Sequence, residues 1–355
     1  MDMHQHFFRS YKQARDHFIS SCGDFQTVVE SHQHPGQGPE GNIYMDVASS
    51  GDPDATRVVV ISSGTHGIEG YSGSGLQCLL LHEGLTEHLP HNTRVVLVHG
   101  VNPYGFAWQR RTNESNIDLN RNFVDFSQTP INTGYREIAS IFEPQDWDAN
   151  SSLIQDQIRR VVKAKGLEWY QGAVSGGQYE YPEGMFYGGT APAWSNQTIH
   201  QVARTHLSFA SEICWIDIHT ALGPFGTAEC IVDYAPDSDS YRRCVSYWGD
   251  RVKSVISGDS HSAPIRGSMI TDLSGHYPAL VGAGLEFGTR SGREVMQALI
   301  ADQWLHRYGE LDMARGHPIK DMMMDAFYPD SAEWRESIAK ITRQVVDQAF
   351  DAFKG

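Results

Sequence analysis

No two cysteines in this chain are spaced Cys-x-x-Cys; the five present, at positions 22, 78, 214, 230 and 244, are scattered and odd in number. That argues against a disulfide framework and fits a reducing compartment, so a cytoplasmic location is expected. No apolar run approaches the roughly 20 residues that a membrane-spanning helix needs. The chain begins Met-Asp-Met-His-Gln-His-Phe-Phe, with neither a basic nor an apolar leader stretch, and no signal peptide is expected. Positive charge is scarce. With 28 Lys+Arg against 43 Asp+Glu the formal net charge is −15, which speaks against a nucleic-acid or anionic-membrane surface. Two common site motifs are missing, the His-Glu-x-x-His zinc helix and the phosphate-binding Gly-x-x-x-x-Gly-Lys. The serine-hydrolase elbow Gly-x-Ser-x-Gly is approached only by Gly258-Asp259-Ser260-His261-Ser262, with serine where the last glycine belongs. A serine hydrolase is therefore a remote alternative.

What is present describes an ordinary globular chain: 355 residues, 40% hydrophobic and 20% charged. No repeat, linker or low-complexity boundary interrupts it, which predicts one domain over 1–355. Within that domain an insertion of helix and loop is expected around 125–210, and a helical segment around 291–355. Phe7, Tyr11, Ala14, Phe18 and Ile19 predict an amphipathic helix over 7–20. His32 to Gly38 reads as turn material, with His32 and His34 as polar loop residues rather than ligands. Ile43, Met45 and Val47 alternate as in a strand. Val58 to Ile61, Val95 to Val98, Glu212 to His219, Cys230 to Val232 and Ala279 to Thr289 contain apolar runs that predict strands, several covered on both faces. Helices are expected from Leu76 to about Leu89 and over 241–256. At the C-terminus, Asp330 with Glu333 suggests a capping pair, and Trp334, Ile338, Ile341, Val345, Ala349 and Phe353 form an apolar stripe. The five scattered cysteines include Cys78 and Cys214 in predicted core elements.

Three of those strands end in residues that can do chemistry. After Val58–Ile61 comes a glycine-rich turn carrying His66 and Glu69, three apart. The strand at 212–219 ends on His219, and the run at 279–289 places Glu286 among apolar neighbours, a costly position unless the carboxylate is paired or employed. Between them lies 99–123, a loop dense in arginine, asparagine and aromatics, too long to be idle. Open α/β sheets place their ligand sites beyond the carboxyl ends of the strands. Two histidines and one carboxylate make a zinc set that leaves a fourth position open. A separate glutamate can then move a proton between water and a leaving amine. Arginine suits a carboxylate or a developing oxyanion.

This ordered set resembles the zinc carboxypeptidase superfamily, in particular a bacterial carboxypeptidase-like branch near the succinylglutamate desuccinylase and aspartoacylase group. The resemblance runs over about residues 40–300. It is carried by His66-Gly67-Ile68-Glu69, by Arg111 with Asp118-Leu119-Asn120-Arg121-Asn122-Phe123, by Asp217-Ile218-His219-Thr220 and by Leu285-Glu286-Phe287-Gly288. It implies an α/β fold with a mixed, mostly parallel central sheet flanked by helices, and one Zn²⁺ per chain held by His66, Glu69 and His219. It further implies Glu286 as general base, Arg111 as the group that polarises the scissile carbonyl, and Asn120 with Arg121 as a clamp on a substrate carboxylate. Arg110 and Arg111 are adjacent and could trade roles. The superfamily's mobile tyrosine has no match in a motif; Tyr187 and Tyr277 are candidates only. Asp217 either orients a ligand or faces solvent. The expected substrate is a small peptide or an N-acyl amino acid with a free carboxylate, the first cleaved by a metallocarboxypeptidase and the second by a deacylase. A binding protein that has lost turnover is a further alternative. No pattern in the sequence sets an oligomeric state.

Overall fold

The computed structural model describes residues 3–25, 27–310 and 316–354, without the side chains of 148 and 149. Among them eight strands form one mixed sheet: β1 (Val28–Gly38), β2 (Gly41–Gly51), β3 (Arg57–Ser63), β4 (Thr93–His99), β5 (Glu212–Ala221), β6 (Ala228–Val232), β7 (Val252–Ser254) and β8 (Leu280–Gly288). Their order across the sheet is β1-β2-β4-β3-β5-β8-β6-β7. The four central strands β4, β3, β5 and β8 are all parallel. β2 and β6 join them antiparallel, β1 runs antiparallel to β2 and hence in the sense of the central strands, and β7 runs parallel to β6. Helices flank both faces, so the chain is α/β with a mixed, mostly parallel central sheet.

The first helix, α1 (Tyr11–Asp24), and α2 (Gly70–His82) lie over one face of the sheet. The middle of the chain supplies α3 (Pro103–Ala107), α4 (Thr133–Ile138), α5 (Trp147–Lys165), α6 (Leu167–Ser175) and α7 (Trp194–Leu207). Then come α8 (Asp239–Trp248), α9 (Met269–His276), α10 (Gly292–Tyr308), α11 (Gly316–Phe327) and α12 (Ala332–Ala352). β3 shows why its sequence is uniformly apolar. Val59 and Ile61 pack into the core with α2, whereas Val58 and Val60 pack on the opposite face with Ile199 and Val202 of α7. Burial of each such side chain contributes about 1.5–3 kcal/mol, and both faces are used. The five cysteines are buried and unpaired.

Several boundaries differ from the sequence expectation for local reasons. His32 to Gly38 belongs to β1, which sits at the sheet edge, where a proline leaves no ladder bond unmade; the register shifts between Gln33 and Gln37, around Pro35 and Gly36. The first helix starts at Tyr11, where Ser10 accepts the amide of Gln13, and a short 3-10 turn (Met3–His6) precedes it. α2 ends at His82 rather than near Leu89. The helix expected over 241–256 stops at Trp248, because Gly249 turns at φ 57° and the chain re-enters the sheet as β7. Ser331, not Asp330, caps α12 by accepting the amide of Trp334; Asp330 pairs with Arg335 instead. Residues 311–315 and 355 of the C-terminal segment, and 1–2 of the N-terminus, lie outside the described residues. Among the described residues no helix is long and apolar enough to cross a membrane.

Candidate metal centre and active site

The carboxyl ends of β3, β5 and β8 meet at one cavity of about 520 Å³. Just past β3, the backbone turns through Gly64, at φ 71°, into a 3-10 turn (Gly67–Glu69). The turn packs so tightly on α3 that a Cβ on Gly67 would lie 2.0 Å from the backbone of Gly105; only glycine fits. The amides of Gly67 and Ile68 donate to the carbonyls of Arg111 (3.2 Å) and Arg110 (2.7 Å). The arginine loop therefore holds the turn that carries His66 and Glu69.

His66, Glu69 and His219 are all buried, and one ligand atom from each lies within 4.8 Å of the others. His66 Nδ1 is 2.9 Å from Glu69 Oε1, His219 Nδ1 is 2.9 Å from Glu69 Oε2, and the two Nδ1 atoms are 3.2 Å apart. The far nitrogens face carboxylates. His219 Nε2 donates to Asp217 Oδ2 at 2.7 Å, and Asp217 itself accepts from Ser62 Oγ (2.6 Å) and Thr65 Oγ1 (3.0 Å). Asp217 and His219 share a face of β5, two residues apart, and Asp217 is buried rather than turned to solvent. His66 Nε2 lies 3.2 Å from Asp118 Oδ1 and 2.7 Å from Arg111 Nη2. These two neighbours ask for opposite tautomers, since the carboxylate needs a proton on Nε2 and the guanidinium needs a lone pair there. A cation at Nδ1 selects the first, in which Asp118 orients His66 as Asp217 orients His219. Such outer carboxylates are a recurrent support of metal-binding histidines.

Charge points the same way. Asp118, Asp217, Glu69 and Glu286 surround the cluster against Arg111 and Arg121, so carboxyl groups outnumber guanidiniums. A cation suits that surplus, and a His₂-carboxylate donor set suits zinc. The residues present fit the ion that the motifs imply. From the protein's own charges, burial pushes the Glu69 carboxyl up, but His66 and His219 pull it down to about 2. Burial, followed by the nearby Glu69, instead raises Glu286 to about 8.

Glu286 lies on β8 directly across from His219 in the parallel register, and it accepts the amide of Leu222 at 2.9 Å. That amide is aimed by Ala221, held at φ 139°, a strained conformation for a residue with a side chain. Arg111 lines the cavity and donates from Nε to Asp118 Oδ2 at 2.9 Å. Arg110 turns the other way, onto Asp302 (3.1 Å), which also pairs with Lys320 (2.6 Å). Asn120 and Arg121 line the cavity too. Nε and Nη2 of Arg121 donate to the carbonyl of Ser175 (2.9 and 2.6 Å), and Nη1 donates to the carbonyl of Asn120 (2.9 Å). One hydrogen on each terminal nitrogen is left over. Phe186, at φ 52°, sets its ring 5.3 Å from the guanidinium of Arg111 and 5.5 Å from that of Arg121.

Residues 7–341 match a family model described as "Protein of unknown function (DUF2817)". The chain belongs to this family. A search of curated proteins finds no match. Among solved structures, this DUF2817 chain is similar to thrombin activatable fibrinolysis inhibitor (TAFI), at 15% identity and TM-score 0.47, over 96% of this chain and 75% of that one. It is also similar to carboxypeptidase A from Helicoverpa armigera (14%, TM-score 0.43, covering 90% and 74%). The succinylglutamate desuccinylase from Chromobacterium violaceum is a third (13%, TM-score 0.39, covering 89% and 74%).

In this DUF2817 member the residues singled out in sequence therefore share one cavity: His66, Glu69, His219, Glu286, Arg111, Asn120 and Arg121. Asp118 stood inside a quoted motif without a part of its own, yet it touches both His66 and Arg111. Tyr187 and Tyr277 are not among the cavity residues; Tyr170 and Tyr234 are. Ser260 donates to Glu229 (2.9 Å), and the adjacent His261 also faces Glu229 (3.2 Å), so neither residue is arranged as a nucleophile and its base.

Proposed function

We propose that this protein is a zinc-dependent hydrolase that cleaves an amide bond next to a free carboxylate, acting as a metallocarboxypeptidase on small peptides. The observation that carries this reading is the convergence of both Nδ1 atoms and the Glu69 carboxylate. Each outer nitrogen sits against a buried aspartate, and a raised carboxyl, Glu286, faces the same cavity. Bound zinc would be held by His66, Glu69 and His219, and would supply Lewis-acid stabilisation of carbonyl oxygen and a more acidic water.

The chain's own residues do the rest. Glu286 takes a proton from the attacking water and returns it to the leaving nitrogen, a task suited to a carboxyl raised toward neutrality. Arg111, already within the cavity, exchanges its contact with His66 for the carbonyl oxygen as charge develops there. The two spare hydrogens of Arg121, with the side-chain amide of Asn120, bind the substrate carboxylate in a fork. Phe186 beneath both guanidiniums excludes water and strengthens these contacts.

The same groups would serve an N-acyl amino acid, so one assay separates the two substrates. Zinc-loaded protein is offered a panel of short peptides, their C-terminal amides, and N-acyl amino acids. Release of the C-terminal residue from free-acid peptides only is the expected result. Turnover confined to N-acyl amino acids would replace the peptidase reading with a deacylase. Absence of zinc-stimulated hydrolysis across the panel would overturn the hydrolase.

A further inference from the structure

A second cluster of nitrogen ligands lies outside the cavity. His6 ends the first 3-10 turn, His17 sits in the middle of α1, and His82 is the last residue of α2. One ring nitrogen from each lies within 4.8 Å of the others. His6 Nδ1 and His17 Nε2 are 2.9 Å apart. The rings of His6 and His82 are centred 4.6 Å apart, and those of His17 and His82 6.0 Å apart. Phe8 packs 5.2 Å from the ring of His17, Phe25 packs 5.1 Å from that of His82, and Ser21 Oγ is 3.3 Å from His82 Nε2. His6 is buried and the other two are half-buried.

Three imidazoles drawn from three separate elements and turned inward with nitrogens this close cannot all be protonated without strong repulsion. They are best satisfied by a shared cation. The rings of Phe8 and Phe25 flank the cluster on its apolar side, and neutral imidazole is the ligand-competent form. We propose that His6, His17 and His82 form a second metal site, separate from the His66–Glu69–His219 centre, for a divalent borderline transition ion such as Zn²⁺. Hard ions such as Mg²⁺ and Ca²⁺ are excluded because they take oxygen ligands. The site joins the N-terminal turn to α1 and to the far end of α2, whose first turn follows Glu69. Its role is structural, a clasp between the N-terminal elements and the helix that leaves the catalytic turn.

The test is metal stoichiometry on the full-length protein, stripped with chelator, reloaded with Zn²⁺ and measured by elemental analysis. Titration with Co²⁺ followed by visible absorption provides the parallel readout. Wild type is expected to bind two equivalents. H17Q and H82Q should each bind one, H219A one, and H17Q/H219A none. Folded H17Q and H82Q, with wild-type far-UV circular dichroism and the wild-type number of equivalents, would overturn the second site. So would a wild type that binds a single equivalent lost in H219A. A single equivalent that survives in H219A and disappears in H17Q would uphold this site while removing the centre in the cavity, so the two assignments fail independently. Should a glutamine variant not fold, zinc is still expected to raise the Tm of H219A, and no rise would overturn the clasp.

Discussion

Arg110 and Arg111 are chemically identical neighbours with opposite surroundings. Arg110 is buried between α10 and the loop, where it shares the Asp302 carboxylate with Lys320 and donates to Asn116. Arg111 opens into the cavity, shares Asp118 with His66, and belongs to a cluster with more carboxylate than cation. The first cluster places two cations on one carboxylate away from the strand ends. The second lies at the strand ends, in the cavity proposed to take a cation and a substrate. Charges paired away from the cavity serve the fold, and charges that line it are available for chemistry.

That contrast can be broken by experiment. The largest effect is expected at Glu286. Glu286→Gln should lower kcat/KM by roughly 10³-fold, the scale of general acid–base catalysis, with zinc content unchanged; an undiminished rate would remove its role. The two arginines should then separate cleanly. Arg111→Ala should reduce kcat by ~10²–10³-fold through loss of oxyanion stabilisation, with a smaller change in denaturant midpoint than Arg110→Ala causes. Arg110→Ala should cost about 1–3 kcal/mol of stability, because it removes a buried donor from Asp302 and Asn116 while Lys320 keeps the carboxylate paired, and leave kcat of the remaining folded protein near wild type. A reversed pattern, measured by urea unfolding and steady-state kinetics, would invert the assignment.

A sealed group should also register in acid. His99 of β4 stacks on Phe18, with ring centroids 4.3 Å apart, and burial pushes its imidazole down from an ordinary 6.5 to about 4. The folded state thus keeps it neutral while the unfolded chain takes up a proton. Its contribution is complete above about pH 6.5 and is lost as the pH falls toward 4, by about 1.4 kcal/mol per unit across that window. His99→Gln should flatten this limb of the stability profile, and an unchanged slope would contradict it. The smallest effect is expected at Arg121, which lines the cavity. Arg121→Ala should raise KM about tenfold, about 1.4 kcal/mol, for free-acid substrates and much less for their amides. Equal shifts would separate Arg121 from the carboxylate.

The central sheet was legible because its strands are buried on both faces, so Val58–Ile61 and Val95–Val98 announce themselves without a partner. β1 was not, because an edge strand bears Pro35 and Gly36 without penalty, and those residues look like a turn to any local reading. The proposed ligands were legible as strand-end residues in order. Their supports were not, because Asp118 and Asp217 depend on which way a side chain points, which only packing decides. The choice between Arg110 and Arg111 is of the same kind: nothing within the loop distinguishes them, and Asp302, nearly two hundred residues later, does. The histidines at 6, 17 and 82 carry no shared spacing at all, since α1 and α2 meet only in the fold.

His219 and Glu286 occupy facing positions on β5 and β8. Neighbouring strands are spaced about 4.8 Å apart by their hydrogen bonds, so the gap between His219, the proposed zinc ligand, and Glu286, the proposed proton carrier, is set by the sheet itself. Exposed side chains of 99–123 can then be varied in engineering a new substrate preference without resetting that gap, provided Arg111, Asp118, Asn120, Arg121 and the Arg110 and Arg111 carbonyls that hold the 66–69 turn are kept. The hydrogen-bond ladder acts as a fixed ruler beneath interchangeable walls.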